Sequence, residues 1–175
     1  MNPTAVIALA NLQRRRRGDT APRAPLIDVH QARQALASEG LSNLDLAQEG
    51  LPDLARLADA VSELGDCLAL GRPPTSEAVE VVNELASRCT ATTQLTVCGN
   101  VVRGVVDWRD PDPVAGLARR IIQELDGFDP TRLGQCQRAE CDLLFFDPTR
   151  SRSQRWHAEN PCGWLERQRR RRAHD

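Results

Sequence analysis

Lysine and tyrosine are absent from this 175-residue chain, and its aromatics amount to three Trp and three Phe. All 23 basic side chains are therefore guanidinium groups, planar donors that pair bidentately with carboxylates and phosphates. Long apolar runs are missing too. The longest before the first charge, Ala5 to Ala10, is too short for a bilayer, and Arg14 to Arg17 follow it where a secretory signal would have basic residues in front. A membrane partner is not expected, and a cytoplasmic chain is. Histidine is limited to His30, His157 and His174. There is no glycine-rich phosphate loop, nucleophile elbow or metal-hydrolase motif, and Cys98-Gly99-Asn100 falls where a turn is expected. The chain is not read as an enzyme.

What is present is unevenly distributed. Residues 131–175 hold 10 arginines against 6 acids, whereas residues 1–130 hold 13 arginines against 18 acids. An acidic body with a basic C-terminal segment suits a polyanion partner for that segment, or simply two differently solvated surfaces. The length suits one medium domain and a small module. Of the six cysteines, Cys136 and Cys141 are separated by four residues, fifteen intervene, and His157 and Cys162 are again separated by four. Two close pairs on a longer arm let two turns each present two ligands to one tetrahedral Zn²⁺. With four protein ligands no coordination position is left for substrate, so the metal is expected to be structural and to supply most of the module's folding energy. The competing readings are unliganded buried thiols or a disulfide. Cys67, Cys89 and Cys98 read as core or semi-buried thiols.

Between the ligand pairs lies Leu144-Phe145-Phe146-Asp147-Pro148-Thr149-Arg150, and the second pair is framed by Arg155-Trp156 and Gly163. This stretch resembles the CGNR-type zinc finger that follows an all-helical ABATE domain in bacterial transcription regulators. The resemblance implies residues 1–130 as an ABATE-like helical domain with a small-molecule ligand, and residues 131–175 as a zinc finger that binds DNA. His157 stands where the family has a cysteine, which keeps a competent ligand and makes the site one unit less negative. Trp164 and Leu165 stand where the family has the Asn-Arg of its name. Near the start, Ala5 to Asn11 resembles the family's opening element, with Asn11 at a polar position and Ala8 in place of the acid.

In chain order, residues 14–25 read as an exposed basic loop, solvated or in contact with nucleic acid. Asp28 caps a helix to about Glu39, with Val29, Ala32, Ala35 and Leu36 inward and Gly40 as its stop. Leu54, Leu57, Ala58, Val61, Leu64 and Leu68 recur at helical spacing and predict a helix over Leu51 to Ala69, stopped by Gly71 to Pro74. Thr75 or Ser76 caps the next helix, with Ala78, Val79, Val82, Leu85 and Ala86 as its stripe. Thr92 to Cys98 and Val101 to Trp108, β-branched and joined by Gly99-Asn100, predict a two-residue hairpin. Asp112 or Pro113 opens a last helix with Val114, Leu117, Ile121, Ile122 and Leu125 inward. Phe128 to Leu133 then makes a short, stiff connection to the module.

Inside the module, Leu143 to Phe146 predicts a strand, Trp156 is expected to cover the metal, and an Asp147–arginine contact to staple the following turn. Trp164 to Arg172 predicts a helix, so the fold class is mainly α with a small hairpin, followed by a treble-clef-like zinc finger. Arg167, Arg169, Arg170, Arg171 and Arg172 on that helix, with Arg150, Arg152 and Arg155 on the loop, form a candidate DNA-contacting patch. In the alternative, Trp164 and Leu165 are an exposed protein-contact anchor on a non-enzymatic module. A Cys141→Ser change is expected to unfold the module and spare the helical body. No heptad or other association signal is apparent.

Overall fold

The computed structural model describes residues 4–14, 28–38, 40–41 and 44–173. Arg15 to Arg17, the rest of the basic loop and His174 lie outside the described residues. The fold is mainly α with small antiparallel β elements: α1 Thr4–Arg14, α2 Val29–Ser38, α3 Leu51–Ala69, α4 Ser76–Ala86, β1 Thr90–Cys98, β2 Val101–Arg109, α5 Pro113–Leu125, β3 Leu133–Gln135, β4 Leu144–Phe146 and α6 Trp164–Arg172.

Helix α1 was not anticipated as a helix, and it is the centre of the molecule. Ala5, Val6, Ala8, Leu9, Ala10 and Leu12 are all buried, and so are Asn11 and Arg14. A helix apolar on every side can only be stable inside a core, and α1 packs against α2, α3, α5 and β4. Its first turn is held by Glu124 of α5, whose Oε2 accepts the backbone N–H groups of Ala5 at 2.7 Å and Val6 at 3.1 Å. A buried carboxylate at a helix N-terminus satisfies two orphan donors and complements the dipole.

The expected bounds of α3 are the observed ones, because its apolar spacing is strong and Gly71, at φ +64°, and Pro73-Pro74 end it. The Thr75 hydroxyl caps α4 by accepting from Ala78 N–H at 3.3 Å, and the Asp112 carboxylate caps α5 by accepting from Ala115 N–H at 2.8 Å. Two inward assignments are corrected. Val79 and Ile122 are each 40 % exposed, because they lie at the margins of their stripes and line an open apolar groove between α4 and α5. Across α3 and α4, Arg88 pairs with Asp53 and Arg56 with Glu84. The Arg88 hydrogen bond holds the Asp53 carboxyl below its usual range, against the opposing effect of burial.

Strands β1 and β2 pair antiparallel in unbroken register from Thr90↔Arg109 to Cys98↔Val101. Gly99 has φ +61° while Asn100 does not have positive φ, which is the II′ geometry that matches hairpin twist. Every residue of both strands is exposed, so this hairpin stands off the core instead of contributing to it. The Cys98 thiol is correspondingly exposed, which corrects its reading as core or semi-buried; Cys67 is buried and Cys89 intermediate.

The core continues past residue 130. Leu133 of β3, a strand not anticipated, and Leu144 of β4 are buried in the same cluster as α1, α3 and α5. Leu144 reaches Gly65 of α3, where an added Cβ would overlap its Cδ1 atom. Arg14 is corrected from loop to core: fully buried, its guanidinium donates to Asp142 O at 2.7 Å and pairs with Asp66. Asn11 makes two hydrogen bonds to the backbone of Leu144, accepting from its N–H at 2.8 Å and donating to its carbonyl at 3.0 Å. Spaced three apart on one helical face, Asn11 and Arg14 grip alternate residues of the module's chain.

Candidate metal centre

Four turns and strands bring the expected ligands together. Cys136 leaves β3, with its N–H donating to Leu143 O at 2.9 Å; Cys141 closes a tight turn, with its N–H donating to Arg138 O at 2.9 Å. His157 follows Trp156 on the return chain, and Cys162 sits in the wide turn Glu159–Gly163 that opens directly into α6. One donor atom from each of Cys136, Cys141, His157 and Cys162 lies within 4.8 Å of every other. The donors of a tetrahedral zinc–thiolate site are about 3.8 Å apart, so only a slight contraction is needed. His157 Nδ1 lies 3.5 Å from Cys141 Sγ.

The chemistry of the donor set fits a dication. Burial pushes the Cys141 thiol up to about 12, and the adjoining Cys136 sulfur adds to this by hydrogen bonding and charge. Three sulfurs this close are costly as thiolates unless a cation lies among them, and a bound cation reverses that preference. The cluster fits one structural Zn²⁺ held by three thiolates and one imidazole, a closed four-ligand set.

Supporting contacts surround it. The Arg138 guanidinium pairs with Glu140, and this partner and the Cys162 sulfur both favour its charged form. This neighbour gave no sequence signal, because an arginine in a ligand turn reads as solvated. Trp156 is partly buried, with its ring 3.2 Å from where a Cβ on Gly163 would lie, so it covers the chain beside Cys162. The staple of the Asp147 turn is corrected. The Asp147 carboxylate accepts from Thr149 N–H and Oγ1 at 2.8 and 2.6 Å and from Gln154 N–H at 2.9 Å, while Arg132 donates to the Asp147 and Thr149 carbonyls. The Thr149 hydroxyl, first among these, holds the Asp147 carboxyl below its usual range.

Residues 132–174 match the family model of the CGNR zinc finger. No curated protein matches the chain. The matched segment contains all four ligands and α6, and at Trp164 and Leu165 it departs from the Asn-Arg of the name.

The eight arginines of the expected patch divide into two groups. Arg152 pairs with Asp129, Arg167 with Glu159, and Arg169 with the buried Glu166, to which Arg170 also lies within 4.0 Å. Among the described residues, Arg150, Arg155, Arg171 and Arg172 are exposed and form no ion pair. Trp164 is 51 % exposed, whereas Leu165 is half-buried beside Arg138 and Glu140, so the two do not form a joint exposed anchor. Helical spacing puts Trp164, Arg167 and Arg171 on one stripe of α6, opposite buried Glu166.

In the helical part, a cleft of about 560 Å³ lies between the link after α2 and the start of α5. Its walls carry Leu41, Leu44 and Leu117, and its charged groups are already partnered: Arg119 donates to both Asp110 oxygens at 3.0 and 2.9 Å, while Arg120 donates to Glu124 at 3.0 Å and Asp45 pairs with Arg33, both partners lying outside the cleft. No helix among the described residues is long and apolar enough to cross a membrane.

Proposed function

We propose that the chain is a non-enzymatic transcription regulator, in which the zinc module docks on duplex DNA and the helical body carries a regulatory input. The observation that carries the reading is the position of Cys162: a metal at the four-residue cluster pins the start of α6 and sets the pose of the stripe bearing Trp164, Arg167 and Arg171. Similarity of residues 132–174 to the CGNR zinc finger supports a nucleic-acid-binding role for this face. Arg150, Arg155, Arg171 and Arg172, with no carboxylate partner among the described residues, are suited to neutralise phosphates, and the exposed indole of Trp164, on the α6 stripe of Arg171, can lie against a sugar or base face. The helical body's input is a small molecule in the cleft beside α5, whose wall carries the Asp110–Arg119 pair.

Fluorescence anisotropy with labelled duplex DNA, titrated against salt, tests the reading. Binding is expected to weaken linearly in log–log form, and Arg171→Gln with Arg172→Gln is expected to shallow the slope by about two. An absence of binding even near ~50 mM salt rejects it. The half-exposed Trp164 favours one second reading, a protein-contact module, for which a stable protein complex lacking nucleic acid is the distinguishing result.

A further inference from the structure

The β1–β2 hairpin belongs neither to the core nor to the metal centre. Isolated two-stranded sheets are marginal in water, and a third strand or a packed face is normally required. The hairpin is tied to α5 by the Trp108 ring, which lies 4.8 Å from the Arg119 guanidinium, while every residue of both strands stays exposed. Side-chain alternation separates its faces. One carries Leu95, Val97, Val102, Val106 and Trp108 with no charged group, and Leu95 and Val97 are 77 % and 71 % exposed. The other carries Arg103, Asp107 and Arg109.

The two edges differ in the same way. Strand β2 has three charged residues, whereas β1, Thr-Ala-Thr-Thr-Gln-Leu-Thr-Val-Cys, has none in nine positions, with no proline and no break in register. Charges, prolines and bulges are the devices that keep an edge strand from pairing with another chain. β1 has none of them. A two-residue turn closes on a hydrogen-bonded pair, here Cys98 and Val101, so Thr96, Gln94 and Thr92 bond to β2 while Val97, Leu95, Thr93 and Ala91 aim their N–H and C=O groups at the open edge.

We propose that β1 pairs antiparallel with β1 of a second copy about a two-fold axis at Gln94, making a four-stranded sheet. Gln94 is the midpoint of Thr90–Cys98, so this register sets Thr93 opposite Leu95 and Ala91 opposite Val97 of the other copy, all with outward backbone groups. On the other face Thr92 meets Thr96, a favourable cross-strand pair, and no charge opposes another. The charged β2 strands become the outer edges, which stops the sheet at four strands and favours a dimer over a fibre. The same patch serves both copies, as two-fold symmetry requires. This pairing is independent of whether the zinc module binds DNA.

Sedimentation equilibrium of the full, zinc-loaded chain tests it, with zinc content and far-ultraviolet circular dichroism checking that each variant folds. The expected mass is twice the 19.4 kDa of one chain. Gln94→Lys places two ammonium groups face to face on the axis and is expected to weaken dimerisation at least about tenfold, and an equimolar mixture with Gln94→Glu is expected to restore it. Thr93→Pro removes an outward N–H while leaving the ladder to β2, and it is expected to act like Gln94→Lys. A wild-type chain still monomeric at about 100 µM overturns the proposal. So does a dimer indifferent to both variants, a mixture that fails to restore association, or a monomeric chain whose hairpin binds a different protein one to one.

Discussion

Asn11 shows how much one side chain can carry. Both of its amide groups are spent on the Leu144 backbone, in a position where water cannot take over. Asn11→Ala leaves a buried N–H and C=O unpaired, and it is expected to cost about 2–4 kcal/mol, read as a lower urea midpoint. Asp53 makes a pH-dependent contribution. Its folded carboxyl is held down by the Arg88 hydrogen bond, so its stabilisation is fully present above the unfolded carboxylate value and is lost as pH falls through the lower folded one. The stability gap between wild type and Asp53→Asn is therefore expected to stay constant from pH 7 to about pH 5 and to shrink only below about pH 4. A gap already closing at pH 6 contradicts this. Residue type and spacing revealed the four metal ligands, but not Asn11, Arg14 or Glu124, which reach partners far off in sequence, nor Arg138, which reads as a solvated turn arginine. Arg14 was read with Arg15 to Arg17 as one basic run, although only its position three after Asn11 on an apolar helix distinguishes it.

Among the elements, those with a periodic apolar stripe and a hard stop were legible, and α3 was recovered end to end. Helix α1 was not, because a segment apolar on all sides has no periodicity to read. The hairpin was identified from β-branched residues around Gly99-Asn100, but its exposure was hidden, since Thr-rich alternation looks the same on a covered strand as on a bare one. Val79 and Ile122 were misplaced because a stripe's margin cannot be told from its centre without knowing what packs there. The contact of α3 with β4 depends on the missing side chain at Gly65. Gly65→Ala is expected to destabilise the fold by about 1–3 kcal/mol despite its better helix propensity, because Leu144 must move, and thermal denaturation measures the loss. An increase in melting temperature would show that Leu144 repacks without strain.

At the scale of the molecule, the zinc module and the helical body share one apolar core through Leu133 and Leu144. The expectation that Cys141→Ser would unfold the module alone changes accordingly. Loss of the metal frees the chain that holds Leu144, and with it the partners of Asn11 and Arg14 in α1. Chelation of one zinc equivalent is expected to lower the melting temperature of the helical signal itself, in a single transition coincident with metal release. A helical transition unchanged by chelator would show two independent units.

The grip of Asn11 on Leu144 also orders events in time. Helix α1, eleven residues long, is synthesised more than a hundred residues before its polar partners Glu124 and Asp142 to Leu144. Until they emerge α1 can pack only against α2 and α3, and a nascent chain that stalls before residue 142, a natural substrate for chaperones, leaves Asn11 and Arg14 without Leu144 and Asp142.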